Sequence, residues 1–222
     1  MKEDVMKQYT RTLLQAFFMK WPRMSYLQNS MEVAIEESVK RIGQGGKILL
    51  GGNGGSAADC EHIAGELLKE FYIKRPLSDD FKDKLENSYG EEGVYLGKHL
   101  QGAIEAISLI SHTGLLSAYG NDAAPELSYA QQIVAYGGEN DVLLSISTSG
   151  NARNVIYASM MAKVKGTYVI GLTGHGGGSL KQYTDALLNV PEYETYLVQE
   201  LHLPIYHLYC RSLEFEIFGE ES

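Results

Sequence analysis

Three hydroxyl side chains in a row, Ser147, Thr148 and Ser149, stand where an apolar run ends and Gly150 turns the chain, in DVLLSISTSGNARN (141–154). With a strand over 142–146 and a helix after the loop, this layout builds an anion site. The unpaired N–H groups of the helix start and the positive end of its dipole face the loop. The hydroxyls donate hydrogen bonds without bringing a competing charge. The same residues also suit a serine-rich N-cap in an ordinary strand-to-helix turn. No Lys follows the last Gly, as the Walker loop requires, and G-x-G-x-x-G spacing is missing, so a small phosphorylated metabolite is a better expectation than a nucleotide. A second loop, GGNGGS (51–56), also leaves an apolar run and enters a helical one. Its four glycines, Gly54 among them, let backbone approach a ligand closely. Ser56 reads as an N-cap or as a second phosphate donor.

Two further pairs carry side chains suited to proton transfer or metal binding. His62 and Glu66 are four residues apart on one helix and so share a face. They suit a metal ion, a base with its orienting partner, or a plain surface pair. Gln199 and His207 are eight apart near the C-terminus, about 80° apart around a helix at ~100° per residue, and can face one cavity. His202 lies off the His207 face and reads as a surface or packing residue. His, Glu, Gln and His together would be a donor set compatible with zinc, although spacing alone does not bring the two helices together.

The elements that must position these residues follow from periodicity. Residues 4–20 and 26–42 read as helices broken near Trp21 and Pro22, the first with Val5, Tyr9, Leu13, Ala16 and Phe17 at helical spacing. Their apolar faces are wide enough to cover a sheet or to pack against another subunit. Strands are expected at 47–50, 104–109, 142–146, 167–172 and 186–190, and helices at 57–71, 113–119, 152–164 and 195–218. Short apolar strands alternating with helices indicate an α/β fold with a parallel sheet covered on both faces. Ligands bind such sheets at the carboxyl ends of the strands, where both loops fall. Residues 74–99 are charged and rich in turn formers, and read as an exposed insertion or a lid, with a short helix at 79–86.

Composition excludes several classes. With 28 acidic and 19 basic side chains, the net charge of −9 argues against a general nucleic-acid surface. No run reaches the ~18 apolar residues that a membrane span needs. The N-terminal residues MKEDVMKQYTR lack a signal-peptide apolar core, so the expected location is cytoplasmic. Cys60 and Cys210 are then expected as free thiols.

Taken together, GGNGGSAADCEHIAGEL (51–67), AYGND (118–122), DVLLSISTSGNARNV (141–155), VIGLTGHGGGSL (169–180) and VQELHLPIYHLYCRSLE (198–214) resemble the sugar-isomerase (SIS) domain family, and within it the phosphoheptose isomerase branch. The resemblance implies a three-layer α/β/α sandwich with a five-stranded parallel, flavodoxin-like sheet plus N-terminal helices. It implies one domain over 1–222, with 1–44 a helical pair that packs between the subunits of a homotetramer and 74–99 an insertion. The implied activity is aldose–ketose isomerisation of a sugar phosphate, sedoheptulose 7-phosphate to a heptose 7-phosphate, through an enediol. Carried over by position, Ser56, Ser147, Thr148 and Ser149 hold the phosphate, with Gly54 in the same loop. Asn53 meets the sugar and Asp122 lies near its reacting end. His62, Glu66, Gln199 and His207 bind zinc, and Glu66 and His207 are the acid/base pair.

Three positions depart from the family pattern. Ala152 stands where a serine is common, followed by Arg153, which could supply charge or face solvent. Glu70, next to Lys69, stands where an arginine is expected, and an acid beside an anionic substrate is unfavourable. The 74–99 insertion is long. A competing reading is a non-catalytic tetrameric SIS module that binds a sugar phosphate or a protein partner. Such a scaffold would have no need of the four zinc-type residues, which favours catalysis. Pentose-phosphate isomerisation and lyase-type cleavage of an ether-linked sugar acid are further SIS chemistries.

Overall fold

A computed structural model describes residues 6–220. Asp4 and Val5, placed above in the first helix, lie outside the described residues. Strands β1 (Ile48–Gly52), β2 (Ala106–Ser108), β3 (Val142–Ser147), β4 (Tyr168–Thr173) and β5 (Ala186–Asn189) form one parallel sheet in the order β2-β1-β3-β4-β5. Every residue of β1, β3 and β4 is buried, which is why these strands read as continuous apolar runs rather than alternating ones. Helices α1 (Gln8–Lys20), α2 (Gln28–Ile42), α3 (Gly55–Leu68), α4 (Asp79–Tyr89), α5 (Glu91–His99), α6 (Thr113–Asp122), α7 (Ser128–Tyr136), α8 (Arg153–Val164) and α9 (Thr195–Phe218) complete the described chain.

Alternate strand residues feed two apolar cores. Leu49, Leu143 and Val169 pack under α7 and α8 with Tyr129, Ile133 and Val155. Ile48, Leu144 and Ile170 pack under α2, α3 and α9 with Ile35, Ile63 and Ile205. The result is the expected three-layer α/β/α sandwich. From β1 the chain crosses outward to β2 on one side and returns to β3 on the other, so the topological switch point lies between the carboxyl ends of β1 and β3. The loops 51–56 and 147–152 flank that point.

Several boundaries move for identifiable reasons. Pro22 starts a 3₁₀ turn over Pro22–Leu27, so α2 begins at Gln28 rather than at 26. The helix carrying His62 and Glu66 stops at Leu68 rather than at 71, because the Glu214 carboxylate takes the N–H groups of Phe71 and Tyr72 at 2.8 Å each and of Ile73 at 3.3 Å. Helix α7 has no signal in the apolar pattern, since its buried face includes Ser128 and Gln132. It matters to the site: Tyr129 Oη donates to Gly52 O at 2.6 Å and Gln132 Nε2 to Leu109 O at 2.9 Å, pinning the ends of β1 and β2.

Residues 79–99 form a helical hairpin of α4 and α5. Ser78 caps α4 by accepting from Phe81 N–H, and none of the α4 residues is buried. Helix α5 escapes the sequence pattern because two glycines interrupt it. Gly93 is required there, since a Cβ would run into the Leu85 carbonyl of α4.

His202 is fully buried in α9, as a packing residue, and burial pushes its pKa down to about 4. The unfolded chain therefore binds a proton that the folded one rejects as pH falls from about 6.5 toward 4, and stability complete above that window is lost within it. Urea unfolding should show about 3 kcal/mol less stability at pH 4 than at pH 7 from this group, a difference removed in His202→Leu. An unchanged acid slope in the variant would refute the assignment.

Candidate active site

The carboxyl ends of β1 and β3 open a cleft of about 320 Å³ lined by Asn53, Gly54, Ser56, Ser147, Thr148 and Ser149, with Ala152 and Gln199 at its wall. The N-cap readings of the two loops fail. Helix α8 starts after Ala152 and α3 after Gly54, neither with a side-chain cap. Ser149 Oγ accepts instead from Asn151 N–H at 3.1 Å, a turn local to the loop. Gly54 has φ +55° and Gly150 φ +66°, conformations that favour glycine. A Cβ on Gly150 would also run into the Gly177 carbonyl. The 174–180 loop is laid against the hydroxyl loop by Gly174 N–H to Thr148 O and Leu180 N–H to Gly150 O, both 2.9 Å.

From this cleft α3 and α9 run side by side in one direction. At the start, Gly55 lies against the Gln199 amide. Further along, His62 Nε2 stands 3.0 Å from Glu66 Oε1, and the His62 and His207 rings meet edge to face with centroids 5.1 Å apart. Phe71 covers His207 at 5.4 Å. Burial, and then the neighbouring His62, lower the His207 pKa, against a smaller opposing pull from Glu66. His207 Nε2 is buried with no hydrogen-bond partner among the described residues. A neutral imidazole with a free nitrogen beside a carboxylate can take up or return a proton.

The end of this helix pair is fixed by an ion pair with both side chains fully buried. Arg75 reaches Glu214 Oε1 from Nη2 at 2.7 Å and from Nε at 2.9 Å. It also donates to the carbonyls of Leu67 at 2.7 Å and Glu66 at 3.1 Å. The backbone of Glu66 is thereby tied to α9.

The expected site residues thus fall into two groups. Ser56, Ser147, Thr148, Ser149, Gly54 and Asn53 share the cleft, and His62, Glu66 and His207 share the far cluster. Gln199 sits with the first group, eight residues or about 12 Å along α9 from His207. Asp122 is exposed at the end of α6 and accepts from Asn121 at 2.8 Å, away from the cleft lining. The Asn53 amide is paired reciprocally with that of Asn154, both bonds 2.8 Å, which bridges the two loops. Asn154 was not singled out from the sequence, although it lies in the motif. Of the departures, Ala152 does line the cleft, while Arg153 turns its guanidinium to Tyr157 Oη at 2.9 Å. Lys69 Nζ bonds the Glu70 carbonyl, and neither residue lines the cleft.

Two imidazoles, a carboxylate and an amide are donor types that zinc accepts, and the orphaned His207 Nε2 is a donor in want of a partner. Among the described residues, no three His, Cys, Asp or Glu side chains close to metal-ligating spacing. Cys60 and Cys210 are buried free thiols.

The chain matches the model of the SIS domain over residues 101–174. It is 38% identical over 183 residues to a phosphoheptose isomerase of Burkholderia pseudomallei, covering 82% of this chain and 80% of that protein. It is 37% identical to the phosphoheptose isomerase of Aneurinibacillus thermoaerophilus, covering 87% and 93%. The structure of a phosphoheptose isomerase from Francisella tularensis superposes with a TM-score of 0.72 at 29% identity, over 92% of this chain and 94% of that one. That from Neisseria gonorrhoeae gives 0.69 at 33%, over 87% and 91%.

Proposed function

Because this chain belongs to the phosphoheptose isomerase family of SIS-domain proteins, we propose that it isomerises a ketose phosphate to an aldose phosphate, with sedoheptulose 7-phosphate as substrate and a heptose 7-phosphate as product. One observation carries the reading: a hydroxyl-lined cleft from which two parallel helices lead to a Glu66–His62–His207 cluster.

The phosphate binds where Ser56, Ser147, Thr148 and Ser149 line the switch-point cleft, and the chain of the sugar lies along α3 and α9. Glu66 takes the proton from C1 of the ketose, giving an enediol, and His207 returns a proton at C2; in reverse the roles exchange. Asn53 reaches the sugar hydroxyls from the cleft edge, and Asp122 acts near the reacting end. Zinc held by His62, Glu66, Gln199 and His207 would supply Lewis-acid stabilisation of the negative charge that develops on oxygen as the enediol forms.

The assembly is a homotetramer. Its support is an apolar groove beside His207, lined by Leu13, Phe17 and Trp21 from the N-terminal region together with Leu208, which another copy would cover. The enzyme acts in the cytoplasm; among the described residues no helix is long and apolar enough to cross a membrane.

A panel of C5 to C7 ketose phosphates, followed by NMR with metal content measured on the same preparation, tests the substrate. Sedoheptulose 7-phosphate should turn over fastest; a pentose phosphate preferred over it would overturn the assignment. Ala152→Ser should lower KM five- to tenfold with kcat unchanged, since one added hydroxyl–phosphate bond is worth about 1–1.5 kcal/mol. An unchanged KM would place the phosphate elsewhere.

A further inference from the structure

Two surfaces of the described chain combine exposed apolar side chains with unpaired charge, and their charges are opposite. The first is the hairpin of α4 and α5. These helices pack chiefly against each other. No residue of α4 is buried, and α5 buries only Gly93 and Gly97. Helices of 11 and 9 residues are too short to hold by propensity alone and depend on packing of an apolar face. Yet Phe81, Tyr89, Val94 and Tyr95 are 49–65% exposed, more apolar surface than so small a unit leaves in water without a partner. Glu86, Glu91 and Glu92 flank Tyr89 at the tip and form no ion pair among the described residues. Lys82 and Lys84 are taken up by Asp79 and Asp80 nearer the root, so the tip stays negative.

The second surface is the groove of about 310 Å³ beside His207, walled by Leu13, Phe17, Trp21 and Tyr72, with Lys20 and Arg211 as its cations. No acid lines it. The Arg211 guanidinium lies 4.0 Å from the centre of the Tyr72 ring, and Lys20 Nζ lies 5.8 Å from that of Trp21. Neither cation forms an ion pair among the described residues.

We propose that the tip of the α4–α5 hairpin docks in this groove on a second copy of the chain, whose own tip docks in return. The inference rests on the assembly proposed above and names the segment that covers the groove. The root of the hairpin is held by the Pro76–Gln101 bridge and by Gly102 N–H to Arg75 O at 2.7 Å. Pro76 is four residues from Tyr72, at most about 14 Å, so each hairpin starts beside its own groove. Its tip lies about 16 Å further out, the length of an 11-residue helix. A two-fold axis between two such faces makes the contact reciprocal and closed. The tip acids then meet the groove cations, and the tip's aromatic rings leave water.

Sedimentation velocity over a dilution series of the full chain tests the pairing. Glu91→Lys with Glu92→Lys should raise the concentration at which the assembly dissociates at least tenfold, because like charges brought together across an interface are costly. Lys20→Glu should do the same. All three changes in one chain should return dissociation to within about threefold of wild type. These side chains are exposed, so each variant should keep the wild-type melting temperature, which separates loss of docking from loss of fold. Both variants within twofold of an assembled wild type would overturn the inference and leave the homotetramer standing. Weakening in each without recovery in the combination would also overturn it, since tip and groove would then meet other surfaces. A wild-type dimer that shows the loss and the recovery would support the docking and refute the tetramer. A monomeric wild type at every concentration would refute both.

Discussion

Glu66→Gln should lower turnover of the sugar phosphate by about a hundredfold to ten-thousandfold, the range that a positioned general base contributes. The amide keeps the shape of the side chain and can still hydrogen-bond His62 Nε2, now 3.0 Å from the carboxylate, but it cannot take a proton from carbon. His207→Ala should cause a loss of the same order by removing the unpartnered Nε2. Inhibition by inorganic phosphate, read with the residual activity, should change less than about threefold in either variant, because the cleft proposed to hold phosphate is lined by other residues. Full activity in either variant would remove that residue from the proton-transfer step.

The second large effect is on stability. Glu214→Ala should cost about 3–5 kcal/mol, the usual penalty for breaking a buried ion pair, and lower the melting temperature by about 10 °C for a chain of this size. The loss is more than electrostatic. Glu214 is the acceptor for three consecutive backbone N–H groups at 71–73 as well as for Arg75, and alanine leaves those N–H groups without this acceptor and the buried Arg75 charge without its counter-ion. For that reason the apolar double replacement Arg75→Met with Glu214→Leu, which often rescues buried ion pairs, should not recover wild-type stability. Activity should fall too, since Arg75 holds the Glu66 carbonyl. A melting temperature within about 2 °C of wild type by circular dichroism would contradict this account of the junction.

What was legible in the sequence was local. The strand-and-loop units at 47–56 and 142–152 showed because both sheet faces are buried, and the pairs 62/66 and 199/207 because helical spacing fixes their faces. Angle around a helix says nothing of distance along it, which is why Gln199 lies in the cleft wall while His207 lies in the cluster. The buried polar face of α7 and the glycines of α5 hid both helices from an apolar count. Long-range polar bonds such as Glu214 to 71–73 and Asn53 to Asn154 leave no spacing signature.

The most direct test of the central claim is incubation of the protein and zinc with sedoheptulose 7-phosphate in deuterated water, followed by NMR. Proton abstraction at C1 and return at C2 through an enediol should give a heptose 7-phosphate carrying deuterium at C2, with recovered ketose labelled at C1. A sugar phosphate that binds yet forms no aldose and exchanges no proton would contradict the account and leave this chain a binding module.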